Sequence, residues 1–183
     1  MKILDGFLDS PDQARQDALA GTWVDYYSSA DDETYKRIQP YWSTDLERAY
    51  REHFGNINVI ASAFRLNYKG ELPNALIHSD GDGWGKYAGV LYLSEESPRN
   101  SGTAFWRHRA TGAEKLSPAD YATALQVVPD WDDPSKFDMT NLVQAKFNRL
   151  VVYDSEQLHS RWPFEGHGST PQDGRLTHVT FFS

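Results

Sequence analysis

Two histidines and an aspartate occur in an order that could hold a metal ion. His78-Ser79-Asp80 comes first, and Leu158-His159-Ser160 follows far along the chain. Two imidazoles and one carboxylate can occupy one face of an octahedral metal and leave the opposite positions open, which is how non-haem Fe(II) is held for reaction with O2. The residue types and their order therefore predict a site for O2 chemistry.

The geometry of a strand could bring these side chains together. Residues i and i+2 of a strand share a face, so His78 and Asp80 can project side by side from the end of one strand. His159 must then come from a strand distant in sequence, as folds with two packed sheets allow. The alternative is a simple turn, in which Asp80 caps the glycine-rich loop that follows it.

Near the C-terminus, Gly174-Arg175-Leu176-Thr177 brings a guanidinium and a hydroxyl onto one face of a predicted strand. A buried guanidinium needs an anionic partner, and no acid stands within this apolar strand. A dicarboxylate ligand would satisfy it, because a carboxylate can pair with arginine through two parallel hydrogen bonds. The alternative is a sheet-edge arginine that pairs with Asp173 in the preceding hairpin.

The composition limits the remaining possibilities. With 183 residues, of which 39% are hydrophobic and 14% aromatic, the chain can bury one good core, and we expect a single domain over 1–183. It has no cysteines, so nitrogen and oxygen atoms must supply any metal ligands. A net charge of −8 disfavours binding to the phosphate backbone of nucleic acids.

The start of the chain has no apolar run typical of a signal peptide, and no apolar stretch approaches the roughly 18 residues of a membrane span. We therefore expect a soluble, cytoplasmic protein with no membrane partner. Its expected partner is a small-molecule, peptide or protein substrate.

The first 55 residues are predicted to be mainly helical support. Ile3 to Leu8 is an apolar stretch that predicts a strand, and Asp9-Ser10-Pro11 then begins a helix that runs to about Ala20. Thr44-Asp45-Leu46-Glu47 resembles a capping box that begins a second helix, which ends at Gly55. We expect these helices to cover one sheet.

From Asn56 onward the pattern changes to short strands separated by turns. The strand-like segments are Ile57 to Val59, Phe64 to Tyr68, Ala88 to Leu93, Thr103 to Trp106, Leu150 to Tyr153 and Leu176 to Phe182. Many short strands after a helical start predict a mainly β protein with supporting helices. The expected architecture is a jelly roll of two packed antiparallel sheets over 56–183.

A segment near 110–140 does not fit the strand pattern. Ser117-Pro118-Ala119-Asp120 can begin a short helix, whereas the stretch from Pro129 to Pro134 is acidic and broken by prolines. We interpret 117–138 as an insertion over one end of the barrel. With Trp131 and Phe137 available to close over a ligand, we hypothesise that it is a lid that selects the substrate.

Taken together, several motifs carry a family resemblance. They are Tyr68-Lys69-Gly70, His78-Ser79-Asp80, Tyr92-Leu93-Ser94, Gly102-Thr103-Ala104-Phe105-Trp106, the run from Asn148 to Tyr153, His159-Ser160 and Gly174-Arg175-Leu176-Thr177. This ordered set, over roughly 56–183, resembles the 2-oxoglutarate/Fe(II)-dependent dioxygenase superfamily, and is closest in style to its prolyl-hydroxylase-like branch. Ile3 to Leu8 also resembles the first strand of that branch.

The resemblance implies a double-stranded β-helix with His78, Asp80 and His159 as iron ligands. It also implies four residues around the cosubstrate, namely Arg175, Thr177, Tyr92 and Tyr68. Arg175, with Thr177 beside it, would bind the distal carboxylate of 2-oxoglutarate, and Tyr92 would donate a hydrogen bond to that carboxylate. Tyr68 matches an active-site tyrosine. For both tyrosines, ordinary packing in the barrel is the alternative.

The implied reaction uses Fe(II), 2-oxoglutarate and O2 and releases succinate and CO2 while a substrate is hydroxylated. Asp80 favours hydroxylation, because a halogenating member would need a small residue there to leave room for halide. Thr177 and Phe181 stand where nucleobase demethylases of the superfamily carry Asn and Arg. The resemblance therefore does not favour a role in nucleobase repair.

Two other classes of function stay open on the residues alone. A cupin-like metalloenzyme could use the same metal ligands without 2-oxoglutarate, and a non-catalytic β-sandwich binding module would need no iron. Arg107 and Arg109 share a strand face and could line the mouth of a substrate site; a solvated strand end is the alternative.

Overall fold

The computed structural model describes residues 1–28, 33–73 and 75–183. The helices are α1 (Pro11–Ala20), α2 (Thr44–Phe54) and α3 (Tyr121–Val127). The strands are β1 (Lys2–Asp5), β2 (Val24–Ser28), β3 (Glu33–Pro40), β4 (Val59–Asn67), β5 (Tyr87–Tyr92), β6 (Gly102–His108), β7 (Phe137–Gln144), β8 (Arg149–Asp154), β9 (His159–Trp162) and β10 (Arg175–Phe182). Within the described ranges, no helix is long and apolar enough to cross a membrane.

The strands form two antiparallel sheets that pack as a jelly roll, as the sequence predicts. The large sheet has the order β1-β8-β5-β10-β4-β3-β2, and the small sheet has the order β7-β6-β9. An isolated bridge between His78 and His159 extends the small sheet beyond β9. Several neighbouring strands, such as β1 and β8 or β4 and β10, are far apart in the chain, so the sheets bring distant residues together.

Alternation along the strands of the large sheet separates an outer face from an inner face. On β4, Phe64 and Leu66 are buried in the outer core, together with Leu46 and Tyr50 of α2. The intervening Arg65 therefore points inward, because successive side chains of a strand alternate between the two faces. The predicted role of the first helices, which was to cover one sheet, is met by this outer core.

The interior between the two sheets is apolar along most of its length. Its buried residues come from strands β5, β6, β7 and β8, and they are Ala88, Val90, Tyr92, Phe105, Val143, Val151 and Tyr153. Arg175, Arg65 and the two histidines also lie between the sheets and give this part of the interior its polar groups. The apolar cluster packs the two sheets together next to these polar residues.

The N-terminal prediction needs two corrections. The segment 1–55 was expected to be mainly helical apart from a first strand, which is present as β1, but it also contains the unpredicted strands β2 and β3. The second helix is capped by Ser43 and not by Thr44: the Ser43 hydroxyl accepts a hydrogen bond from the Leu46 backbone N–H at 3.2 Å. Ser43 and Thr44 are both residue types that cap helices, and in the structure Ser43 is the cap.

The predicted insertion packs on the small sheet and also reaches the loop that carries His78. Val127 and Phe137 are buried with Trp106 and Leu158 in a cluster on the outer face of the small sheet. The segment therefore covers that face, as α1 and α2 cover the large sheet, while the Trp131 ring lies 6.4 Å from the His78 ring, so the lid stays a prediction. The insertion is also shorter than expected, because Phe137 begins β7.

Candidate metal centre

Three potential metal ligands converge at the open end of the barrel. His78, Asp80 and His159 each offer an atom, and these atoms all lie within 4.8 Å of one another. Asp80 lies between the two rings: its Oδ1 is 3.9 Å from His78 Nε2, and its Oδ2 is 3.6 Å from His159 Nε2. This is the trio that the sequence predicted.

The two histidines are held together by their own backbone. The His78 N–H donates to the His159 carbonyl at 3.0 Å, and the His159 N–H donates to the His78 carbonyl at 2.8 Å. The ring centroids are consequently only 4.6 Å apart. His78 therefore does not belong to a longer strand, as the sequence suggested, but to a single bridge at the edge of the small sheet.

Backbone contacts also fix the segments on either side of His78. The Asp80 N–H donates to the Ser155 carbonyl at 2.9 Å, and the Ser155 hydroxyl donates to the Gly85 carbonyl at 2.5 Å. Before the histidine, the Ile77 N–H donates to the Trp131 carbonyl at 3.0 Å. The turn after β8 and the insertion thus hold the metal-site loop from two sides.

The hydrogen bonds leave suitable lone pairs for a cation. His159 Nδ1 lies 2.9 Å from the Gln157 carbonyl, so the proton belongs on Nδ1 and the lone pair on Nε2. His78 Nδ1 and Asp80 Oδ2 are buried and have no hydrogen-bond partner within the described residues. An orphaned carboxylate oxygen beside the oriented His159 imidazole and the His78 imidazole fits a divalent cation with nitrogen and oxygen ligands.

The surroundings favour the neutral forms of both His78 and Asp80. Burial, followed by the charges of His159 and Arg65, lowers the pKa of His78 to about 3. Burial raises the pKa of Asp80, although His159 and Arg65 oppose that change. A cation would remove this conflict, because it would stabilise the carboxylate while using the neutral imidazole.

Three of the four predicted cosubstrate residues lie in adjacent positions on the inner face of the large sheet. Thr177 pairs with Tyr92 across β10 and β5, and Arg175 precedes Thr177 by two positions on the same face. The Thr177 hydroxyl is buried and has no hydrogen-bond partner among the described residues. The Tyr92 hydroxyl lies 2.6 Å from the Thr103 hydroxyl. Arg175, Thr177 and Tyr92 therefore present polar groups to one part of the interior.

No carboxylate among the described residues forms an ion pair with Arg175. Asp173 Oδ1 accepts hydrogen bonds from the Ser169 and Thr170 backbone N–H groups and the Thr170 hydroxyl, and it makes no ion pair with Arg175. Burial lowers the pKa of Arg175, and Tyr92 partly offsets that effect. The alternative pairing with Asp173 is therefore wrong, and the guanidinium is available to an external anion.

Tyr68 is not brought to the metal centre. Its ring packs against the outer core and lies 4.4 Å from the guanidinium carbon of Arg37. Arg37 also pairs with Glu71, whose Oε2 accepts a hydrogen bond from the Tyr68 backbone N–H at 2.8 Å. The packing alternative describes this tyrosine better than the active-site interpretation.

Two arginines that the sequence analysis did not select also face the interior. Arg65 on β4 pairs with Thr177 on β10, so it shares their inner face. Arg161 on β9 pairs with Thr103 on β6. The signal for Arg65 was present in the sequence, because it stands between two apolar residues of a predicted strand and must face away from them.

The other basic candidates lie outside this centre. Arg107 pairs with Glu114 and Arg109 with Asp138, and all four side chains are exposed, so the solvated strand end describes them. A cavity of about 480 Å³, lined partly by Trp162, Phe164 and His167, contains none of the three potential metal ligands. Burial, followed by the charge of Arg175, lowers the pKa of His167, so the cavity lies within electrostatic reach of that arginine.

The family DUF6445, described as a family of unknown function, matches residues 1–182. A search of curated proteins finds no significant match. The sequence comparisons therefore assign a family without an activity.

Solved structures share the fold at low identity. One is EctD from S. alaskensis with bound Fe (14% identity, TM-score 0.54, 100% of this chain and 72% of that chain). Another is SnoN, a non-heme alpha ketoglutarate dependent epimerase from nogalamycin biosynthesis (13%, 0.57, 99% and 76%). A third is HygX from Streptomyces hygroscopicus with iron bound (11%, 0.56, 99% and 81%).

Proposed function

The chain belongs to DUF6445, a family of unknown function, and we propose that it is an Fe(II)- and 2-oxoglutarate-dependent oxygenase that hydroxylates its substrate. The observation that carries this proposal is the convergence of His78, Asp80 and His159, with ligand atoms within 4.8 Å of one another. The shared fold with iron-bound and alpha-ketoglutarate-dependent proteins supports it. Fe(II), 2-oxoglutarate and O2 would together supply the oxidant, with release of succinate and CO2.

The chain's own residues would perform three tasks at the metal. His159 would donate its Nε2 lone pair, because its Nδ1 is held by the Gln157 carbonyl. His78 would bind as a neutral imidazole, since its surroundings keep it unprotonated. Asp80 would complete the face and leave the remaining positions to the cosubstrate and O2. A carboxylate at this position also favours hydroxylation over halogenation.

The cosubstrate would lie against the inner face of β10. Arg175 would hold the distal carboxylate of 2-oxoglutarate through a bidentate pair, which the absence of any described ion-pair partner leaves it free to make. The orphaned Thr177 hydroxyl and the Tyr92 hydroxyl would donate to the same carboxylate. The polar groups at this end of an otherwise apolar interior would thereby fix the orientation of the dicarboxylate.

We propose that the substrate is a small molecule, a peptide or a protein. We also propose that the enzyme acts in the cytoplasm and belongs to the prolyl-hydroxylase-like branch of the superfamily. The net charge of −8 argues against nucleic acid.

An anaerobic titration tests the proposal. Fe(II) and 2-oxoglutarate are added to the protein, and the weak visible charge-transfer band of the iron chelate is followed. We expect a saturable band that disappears in Asp80→Ala but persists in Asp138→Ala, an exposed acid on β7 that serves as the matched control. Iron binding without a band would favour the cupin-like alternative, and no iron binding would favour a binding module.

A further inference from the structure

Arg65 on β4 is a half-buried cation. Within the described ranges, its Nε is shielded from solvent and has no hydrogen-bond partner, and no carboxylate lies within ion-pair distance of its guanidinium. The Tyr35 ring lies 5.4 Å from the guanidinium carbon, which provides a cation–π contact but no negative charge. A shielded donor without a partner is costly, and an anionic ligand is one arrangement that would satisfy it.

The position of Arg65 directs it toward the metal centre. It pairs with Thr177 across β4 and β10, the charge of Asp80 acts on it, and its own charge acts on Arg175. Its neighbours Phe64 and Leu66 are fully buried in the outer core, so the side chain cannot turn to that side. Arg65 therefore faces the same part of the interior as the residues assigned to iron and cosubstrate.

A charge count separates Arg65 from the cosubstrate. In the proposed complex, the positive charges of Fe(II) and Arg175 equal the negative charges of Asp80 and the 2-oxoglutarate dianion. The other inward arginine, Arg161, donates to the carbonyls of Phe164 and Glu71. Arg161 and Arg65 each keep a positive charge that neither metal nor cosubstrate neutralises, but of the two only Arg65 has a shielded N–H with no described partner.

Resting on the proposed function, we propose that the substrate carries a carboxylate and that Arg65 binds it beside the iron. The guanidinium fork suits a carboxylate, which accepts two parallel hydrogen bonds. Arg65 would then determine specificity, because a neutral substrate of the same shape would leave the half-buried cation unpaired.

Acetate and acetamide are matched probes, because they share their shape and differ in charge. The protein is first loaded with Mn(II), a redox-inert substitute for iron, and saturated with 2-oxoglutarate so that Arg175 is occupied. Each probe is then titrated calorimetrically at constant ionic strength. We expect the wild-type complex to prefer acetate by at least about tenfold, the size of a charge-assisted pair. Arg65→Met should lose the preference, and Arg107→Met, an exposed control on β6, should keep it.

The outcomes separate this inference from the proposed function. If the wild-type protein does not bind 2-oxoglutarate in the presence of Mn(II), the proposed function fails. If it binds 2-oxoglutarate but shows no acetate preference, or if Arg65→Met retains the preference, the substrate inference is overturned. If Arg65→Met weakens 2-oxoglutarate binding as much as Arg175→Met does, Arg65 binds the cosubstrate, and the substrate inference is likewise overturned. Should Arg65→Met not fold, Arg65→Lys must reduce the preference, because an ammonium cannot reproduce the fork.

Discussion

The two faces of the large sheet bury polar groups in different ways. On the outer face, His178 is fully buried, and its Nε2 contacts the Ser62 hydroxyl at 2.8 Å and the Tyr41 carbonyl at 3.1 Å. On the inner face of the same strand, the Thr177 hydroxyl is equally inaccessible but has no partner. Asp80 Oδ2, His78 Nδ1 and the Arg65 Nε share that condition at the same end of the interior.

This difference separates structural from functional polar groups. A satisfied buried group stabilises the fold, whereas an orphaned group costs stability unless a ligand completes it. Unpartnered atoms elsewhere, such as the Tyr50 hydroxyl in the outer core, are isolated cases. The inner-face orphans cluster around one potential metal site, which is why we interpret them as ligand-binding.

Removing a metal ligand should have the largest effect. Asp80→Ala should abolish turnover while leaving the fold intact, because Asp80 lies at the open end of the barrel and belongs to none of the apolar clusters. Succinate production and the circular dichroism spectrum measure the two effects. An Asp80→Ala protein with full iron affinity and activity would remove the metal assignment and with it the contrast between the faces.

The next largest effect is expected at the cosubstrate. Arg175→Lys should raise the 2-oxoglutarate concentration needed for half-saturation by at least about tenfold, because a point ammonium cannot form the bidentate pair, worth roughly 1.5 to 3 kcal/mol. Titration of the chelate band measures this. An unchanged titration curve would mean that the inner-face arginine is not a ligand group.

His178 on the outer face should make the free energy of unfolding depend on pH. Burial lowers the pKa of His178 to about 4, below the value of about 6.5 in an unfolded chain. Between these values the unfolded state binds a proton that the folded state does not, so stability should fall as pH decreases from about 6.5 to about 4, by up to about 3 kcal/mol. His178→Gln should flatten this part of the curve in urea unfolding, and an unaltered slope would contradict it.

The smallest effect compares one substitution on the two faces of β10. Thr180→Val removes a hydroxyl that lies 3.3 Å from His178 Nδ1, so it should destabilise the protein by about 1 to 3 kcal/mol. Thr177→Val removes an unpartnered hydroxyl and should leave stability unchanged or raise it, while weakening 2-oxoglutarate binding. Equal losses of stability in the two variants would show that the faces do not differ in the way described.

Strong alternation of apolar residues made the jelly roll predictable from sequence, but weak patterns hid several strands. β3 has few apolar residues and β7 buries mainly Phe137 and Val143, so neither has the dense pattern of a central strand. β7 lies at an edge of the small sheet, where one side is open to solvent. Such strands form because a neighbouring strand hydrogen-bonds to them, and their own residue pattern does not show which strand that is.

The candidate site shows the same division. The types and order of His78, Asp80 and His159 were readable, because few ligand sets suit an open octahedral metal. Arg65 was missed because alternation gives the face of a side chain but not which charges meet across the interior. Tyr68 was assigned on resemblance, although its parity with Phe64 and Leu66 already predicted the outer face that the structure shows.

The reciprocal backbone bridge between His78 and His159 has a consequence for the order of folding. It joins residues separated by almost half of the chain, so the pair can form only after β6, β8 and the intervening connections have assembled. Contacts of such long sequence separation are late and slow to form. A cation at this bridge would therefore stabilise the completed barrel by mass action, chiefly by slowing its unfolding, and would not guide its early assembly.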